Sequence, residues 1–118
     1  MIESLLKNCG IEAALNNTAA GTTDLNGDII DLASGGQFDS VCFIAKLGDV
    51  ADTSVVTLKA FVGDTSNLAD GAYKAITATV TANATSADNK LLILDVVRPG
   101  KRYVRPDITR ETANAPVE

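Results

Sequence analysis

The residue types that most often carry catalysis and metal binding are scarce in this chain. It has no histidine, which removes the commonest general base and the commonest transition-metal ligand. Its two cysteines, Cys9 and Cys42, are too few and too far apart for a structural zinc site, which takes four ligands in close pairs. The four glutamates lie near the termini, and no acidic pair stands out for glycosidic chemistry. We therefore predict that the protein is not an enzyme and needs no cofactor.

One acidic segment imitates a calcium loop. Asp24, Asn26 and Asp28 have the spacing of the first three ligands of an EF-hand. However, the glycine falls at the fourth position of the loop instead of the sixth, and Gly35 stands where a bidentate glutamate is required. An Asn-Gly pair before an apolar run is typical of a turn, so we predict a turn and no metal site.

The basic residues are concentrated near the end of the sequence. Five of the ten lie within residues 98–110, and four of them surround a tight turn that also contains Tyr103. One interpretation is a solvated turn whose basic side chains pair with the many aspartates. The other is a protein interface, where arginine and tyrosine are enriched. A single-stranded nucleic-acid site is a weaker third interpretation, because one tyrosine is a thin stacking platform.

Composition limits the class of protein further. The 118 residues suffice for one domain, and the net charge of −5 argues against general nucleic-acid binding, which depends on phosphate neutralisation. Aromatic residues make up only 4% of the chain, and tryptophan is absent. A core of small aliphatic side chains is thin, so we expect the domain to gain stability from self-association or from docking on a larger surface.

The start of the chain gives no sign of export or membrane insertion. It lacks the basic segment and apolar run of a signal peptide, and no run approaches the length of a membrane helix. We therefore expect synthesis in a reducing cytoplasm and no membrane partner.

Alternation of apolar and polar residues predicts the fold. Such a pattern is typical of half-buried antiparallel strands, and turn residues separate the segments that show it. We predict an all-β protein, an antiparallel β-sandwich or jelly roll of six to seven strands. The strands are expected at residues 28–33, 38–47, 54–62, 73–82, 91–98 and 102–109.

Four details of these strands are specific enough to be checked. Cys42, between Val41 and Phe43, is predicted to be a buried, unreactive thiol. Ile76 is predicted to face the core. The nearly continuous apolar run at 91–98 indicates a central strand that is covered on both faces. Pro106 has no backbone donor, which favours an edge position or a bend for the last strand.

The first 20 residues are predicted to form a helix or arm outside the sandwich. Ile2, Leu5, Leu6 and Cys9 share the i, i+3, i+4, i+7 spacing of one helical stripe, so a helix is expected over residues 2–15. Whether this stripe packs on its own domain or on a neighbour is left open. Residues 16–27 are interpreted as a polar linker, 21–112 as the sandwich domain and 113–118 as a flexible tail.

Two segments resemble a known family. Residues 36–48 (GQFDSVCFIAKLG) and 96–105 (VVRPGKRYVR) are similar to strands of small head proteins of tailed bacteriophages. The resemblance spans roughly residues 28–110, although only these two strings are specific. It identifies the cement or decoration proteins, which are jelly-roll or sandwich domains, often trimeric, that clamp neighbouring major capsid subunits.

This resemblance implies a structural protein of the virion. The expected partner is the major capsid protein, the expected assembly is a homotrimer, and the expected location is the outer surface of the phage head, after synthesis in the bacterial cytoplasm. Two other interpretations remain open: another virion component, such as a head–tail joining or tail protein, and a small hydrolase or carbohydrate-binding module. The residues predicted to contact the partner are Ile2, Leu5, Leu6, Arg98, Lys101, Arg102, Tyr103 and Arg105.

Overall fold

The computed structural model describes residues 13–19, 21–33, 40–81, 88–111 and 117. All strand pairings among them are antiparallel, and these residues contain no α-helix. The prediction of an all-β sandwich of six to seven strands is confirmed, whereas the jelly-roll connectivity stays a prediction. The seven strands are β1 (Leu25–Asn26), β2 (Ile30–Asp31), β3 (Ser40–Lys46), β4 (Val55–Gly63), β5 (Ala72–Thr81), β6 (Leu91–Val97) and β7 (Tyr103–Glu111).

The strands form two sheets of unequal size. The larger sheet has the order β1-β7-β4-β5, and β2 also pairs with β7, beyond the end of β1. The smaller sheet consists of β3 and β6 alone. The molecule is flat, with principal extents of 42 × 39 × 23 Å.

The core lies between the two sheets, where the alternating residues meet. Buried residues of β3 and β4 are those that the alternation predicts to face inwards, and β6 and β7 supply most of the others. Each fully buried aliphatic side chain stabilises the fold by roughly 1.5–3 kcal/mol. The main contributors are Phe43, Ala45, Leu47, Val56, Leu58, Ala60, Val62, Leu92, Leu94, Val96, Val104 and Ile108.

Strand β6 is covered on one face only, so the prediction of a central, doubly covered strand is wrong. Leu92, Leu94 and Val96 are buried, whereas Leu91 and Ile93, which alternate with them, are more than half exposed. Among the described strands β6 pairs only with β3. The apolar run therefore reflects an apolar outer surface and not a second covering layer.

Strand β7, in contrast, is central, so the predicted edge position for the strand with Pro106 is wrong. It pairs with β1 and β2 on one side and β4 on the other. The backbone carbonyl of Pro106 accepts a hydrogen bond of 2.8 Å from the Gly27 amide. The N–H and C=O of a residue in an antiparallel strand point to the same side. The missing donor of Pro106 thus faces residues 27–29, which connect β1 to β2, and no ladder hydrogen bond is lost.

The segment interpreted as a linker is partly built into the sheet. Within residues 16–27, strand β1 pairs with β7, and Arg110 of β7 donates hydrogen bonds of 2.9 and 2.8 Å to the carbonyl oxygens of Ala19 and Thr23. Arg110 is only 4% exposed, and this burial lowers the pKa of its guanidinium. The strand expected at 28–33 is reduced to Ile30–Asp31.

Two other side chains that are predicted to be buried are exposed. Ile76 is 54% exposed and lies on β5 where the β4–β5 register shifts, between the partners of Lys59 and Phe61. Cys42 is exposed as well, since its neighbour Phe43 takes the inward position on β3.

The predicted terminal segments are described only in part. Residues 1–12, which carry most of the expected helix, lie outside the described residues, and residues 13–19 are not helical. Val117, the one described residue of the predicted tail, is buried and bridges to Thr18 and Leu47. None of the described segments is a helix long and apolar enough to cross a membrane.

Candidate protein-interaction surface

The outer surface of the larger sheet collects aromatic and basic side chains. Because Ala60, Val62 and Val104 face the core, their neighbours along β4 and β7 must point outwards. The register pairs Phe61 with both Tyr73 and Arg105, which aligns three strands in one row. We call the resulting surface the cation–aromatic face; it comprises Lys59, Phe61, Tyr73, Tyr103 and Arg105.

The rings and cations of this face contact one another. Phe61 and Tyr73 pack edge to face, with ring centroids 4.8 Å apart. The Lys59 ammonium lies 4.4 Å from the centroid of Tyr73, and the Arg105 guanidinium lies 4.9 Å from that of Phe61. Such aromatic pairs contribute about 0.5–1.5 kcal/mol beyond area burial, and cation–π contacts about 0.5–2 kcal/mol. These contacts hold the face in a defined shape before any partner binds.

A buried carboxylate anchors the face. Asp107 is only 2% exposed although it belongs to the outward row of β7. Arg105 donates to it through Nε at 2.7 Å and Nη2 at 2.8 Å, and the Tyr73 hydroxyl donates at 2.8 Å. The hydrogen bonds to Asp107 raise the pKa of Arg105. Desolvation, followed by the hydrogen bond to Asp107 and its charge, raises the pKa of Tyr73.

Two cations of the basic turn hold loops together at one end of the sandwich. Lys101 Nζ lies 2.7 Å from Oδ2 of Asp64, and Arg102 makes a two-pronged pair with Asp31 at 2.8 and 2.9 Å. The pKa of Lys101 and of Arg102 is raised by these partners, and that of Asp31 is lowered by its hydrogen bond from Arg102. These two residues thus follow the first interpretation of the basic stretch, in which basic side chains pair with aspartates.

The loop that presents Asp64 is held by a second carboxylate. Asp70 accepts hydrogen bonds from the backbone amides of Asp64 and Thr65 and from the Thr65 hydroxyl. These donors lower the pKa of Asp70 to about 2. The charged form of Asp70 therefore fixes the position in which Asp64 receives Lys101.

The predicted partner-binding residues fall into three groups. Tyr103 and Arg105 belong to the cation–aromatic face, and the Arg102 guanidinium adjoins it, 5.1 Å from the centroid of Tyr103. Lys101 and Arg98 lie at the β6–β7 turn, where Arg98 adopts a positive φ of 49°. The third group, Ile2, Leu5 and Leu6, lies outside the described residues.

Sequence reasoning missed three of the five residues of this face. Lys59, Phe61 and Tyr73 are not among the residues that the sequence predicts to contact a partner. Neither Lys59 nor Arg98 has an ion pair with a described residue. Phe61, like Thr57 and Lys59, alternates with the inward apolar residues of β4. This alternation is the sequence signal that predicts an outward Phe61.

This surface presents aromatic rings and cations beside one buried carboxylate. No described residues form a group of three or more acidic, cysteine or histidine side chains that would hold a metal. Aromatic and basic side chains on a preformed sheet face are typical of the centre of a protein interface. A scan against protein-family models and searches of curated proteins and of solved structures matched nothing.

Proposed function

We propose that this protein is a capsid cement, or decoration, protein of a tailed bacteriophage, which binds the outside of the head and stabilises contacts between major capsid subunits. It is made in the bacterial cytoplasm and acts on the virion surface. The two sequence strings at 36–48 and 96–105 support this proposal through their resemblance to such proteins.

The observation that carries the proposal is the cation–aromatic face. Three of the five aromatic residues of the chain, Phe61, Tyr73 and Tyr103, lie on one outer surface instead of in the core. Burying aromatic area against a partner recovers stability that the thin core does not supply. Repetition of such a contact over a shell would add avidity to each single binding event.

Lys59 is the cation best suited to reach a partner. Arg105 is engaged by Asp107 and Arg102 by Asp31, whereas Lys59 contacts the Tyr73 ring and has no ion pair with a described residue. We therefore expect the capsid surface to offer a carboxylate or a backbone carbonyl to Lys59, with Tyr73 packing beside it.

The test is co-sedimentation with empty heads assembled from the capsid protein encoded with this chain. We expect Lys59→Glu and Tyr73→Ala each to weaken binding by at least about tenfold, as for interface residues of this type. Lys90→Glu is the matched control, because Lys90 is an exposed lysine that precedes β6 in the smaller sheet. Circular dichroism verifies that each variant is folded. Binding that is equal in all four proteins, or absent in all, overturns the proposal.

The alternative, a head–tail joining or tail protein, predicts a different assembly. Native mass spectrometry of the virion complexes would then detect a ring of six or more copies on the connector. That result, together with failure to bind empty heads, would replace the cement assignment.

A further inference from the structure

The outer face of the smaller sheet is the largest concentration of exposed apolar side chains among the described residues. Ile44, Leu91, Ile93 and Val97 are 64%, 54%, 56% and 63% exposed. They account for four of the seven large apolar side chains that are exposed in the described part of the chain. A contiguous apolar patch of this kind on a soluble protein marks an interaction site.

The β3–β6 register arranges this face in rows. Ile44 stands opposite Ile93 in the middle row. Two rows of outward-facing residues flank it. In one row Lys46 stands opposite Leu91, and in the other Cys42 stands opposite Asp95. One basic and one acidic residue thus lie at equal distances on either side of an isoleucine pair, on different strands.

We propose that this face binds the same face of a second copy of the chain, about a twofold axis that runs through the Ile44–Ile93 row. This axis lies between the facing β3–β6 sheets of the two copies and runs perpendicular to their strands. It exchanges the row of Lys46 with the row of Asp95. The row of Lys46 in one copy then packs on the row of Asp95 in the other, and the contact occurs twice. A patch that is complementary to itself in this way is what a twofold interface requires.

Charge is the reason for choosing a second copy as the partner. An unrelated partner would need an apolar face with its own acid and base in matching places, whereas a second copy supplies them by symmetry. The pair also leaves the cation–aromatic face open on both copies, because that face lies on the other sheet. The proposal is therefore independent of the proposed function.

The expected pair is weak. A standard interface buries about 800 Å² and 20 to 30 residues on each partner, more than this two-stranded face offers. We expect a dissociation constant on the order of micromolar. A twofold pair differs from the trimer implied by the family resemblance, and the register of this face is the reason for preferring it.

The first test measures self-association of the full chain by sedimentation equilibrium over a range of concentrations, without capsid protein. We expect a monomer–dimer equilibrium, and Ile44→Glu should weaken it at least about thirtyfold, as for a central interface residue. Ile76→Glu is the matched control: Ile76 is equally apolar and 54% exposed, but it lies on β5 in the other sheet. The control should dimerise like the parent protein.

The second test reverses the charges. Lys46→Glu and Asp95→Lys should each weaken the dimer about tenfold, and the double variant should restore it, because each copy then offers the opposite pair. A protein that stays monomeric overturns the proposal, and so does a trimer. A dimer that is insensitive to Ile44→Glu, or to both charge reversals, overturns it too. Capture of capsid protein that is lost in Ile44→Glu would assign this face to the capsid instead.

Discussion

The hydroxyl of Tyr73 on β5 donates a hydrogen bond of 2.8 Å to Oδ2 of Asp107 on β7, across the intervening strand β4. The two strands are not neighbours, so this side-chain contact adds a link that the backbone ladder does not provide. It also covers Asp107 together with Arg105, which explains why an outward-pointing carboxylate is buried.

We expect Asp107→Ala to lower the free energy of unfolding by about 3 kcal/mol, because Arg105 and Tyr73 lose their shared acceptor in a largely buried site. Urea unfolding followed by circular dichroism measures the change. Asp49→Ala, at an exposed aspartate, should stay within about 0.5 kcal/mol of the parent protein. Equal losses in the two variants would show that the Asp107 cluster contributes nothing specific.

Tyr73→Phe should remove a loss of stability at alkaline pH. The pKa of Tyr73 is raised in the folded state, so its neutral form is favoured there. The contribution of the hydroxyl is complete below the unfolded value of about 10 and is lost as the pH rises through the folded value. Thermal melts of Tyr73→Phe and of the control Tyr103→Phe, below and above about pH 10, measure this alkaline loss of stability. The same alkaline loss in both variants would contradict this account.

Gly27→Ala should destabilise the junction of β1 with β7. A Cβ at Gly27 would lie 2.7 Å from Cγ of Pro106 and 2.8 Å from the carbonyl oxygen of Ala14, closer than real contacts allow. We expect a cost of about 1–3 kcal/mol, as for overpacking in a core. Gly21→Ala is the control, because the nearest atom there is 3.4 Å away. The measurement is again urea unfolding, and similar stability of the two variants would refute the expected clash.

Asp70→Asn should flatten the decline of stability in acid. The folded pKa of Asp70 is about 2, below its usual value, so its contribution is present above about pH 4 and is lost as the pH falls through about 2. The variant should melt at a lower temperature near neutral pH and lose less on acidification. Asp28→Asn, at another exposed aspartate, should keep the acid dependence of the parent. An unchanged acid profile in Asp70→Asn would disprove the role of this carboxylate.

The sequence predicts the parts of the fold in which inward residues are apolar and outward residues are polar. Strand β4 fits this description from Val56 to Ala60, and so does the inner face of β3. The prediction fails for β6, because three of its four outer residues are apolar like its inner ones, and local sequence does not show which of them another layer covers. It fails for Pro106 too, since its position opposite the β1–β2 connection is a property of the whole sheet.

The candidate site also contains residues that the sequence predicts and residues that it does not. The cluster at 98–105 is visible as a run of charges, so Arg102, Tyr103 and Arg105 were found from sequence. Phe61 and Tyr73 come from two other strands, and only the β4–β5 register brings them beside Arg105. That the charge of Arg105 is largely engaged by Asp107 also depends on side-chain geometry that no spacing rule provides.

The position of β7 in both the sheet and the chain has a consequence for biosynthesis. It follows the other six described strands, yet three of them, β1, β2 and β4, pair with it. The ribosome must therefore extend the chain through Glu111 before the larger sheet can close, and Leu25 cannot pair with Ile108 until then. Until then the nascent chain exposes unpaired strand edges, which makes this interval its period of greatest exposure to aggregation and to chaperones.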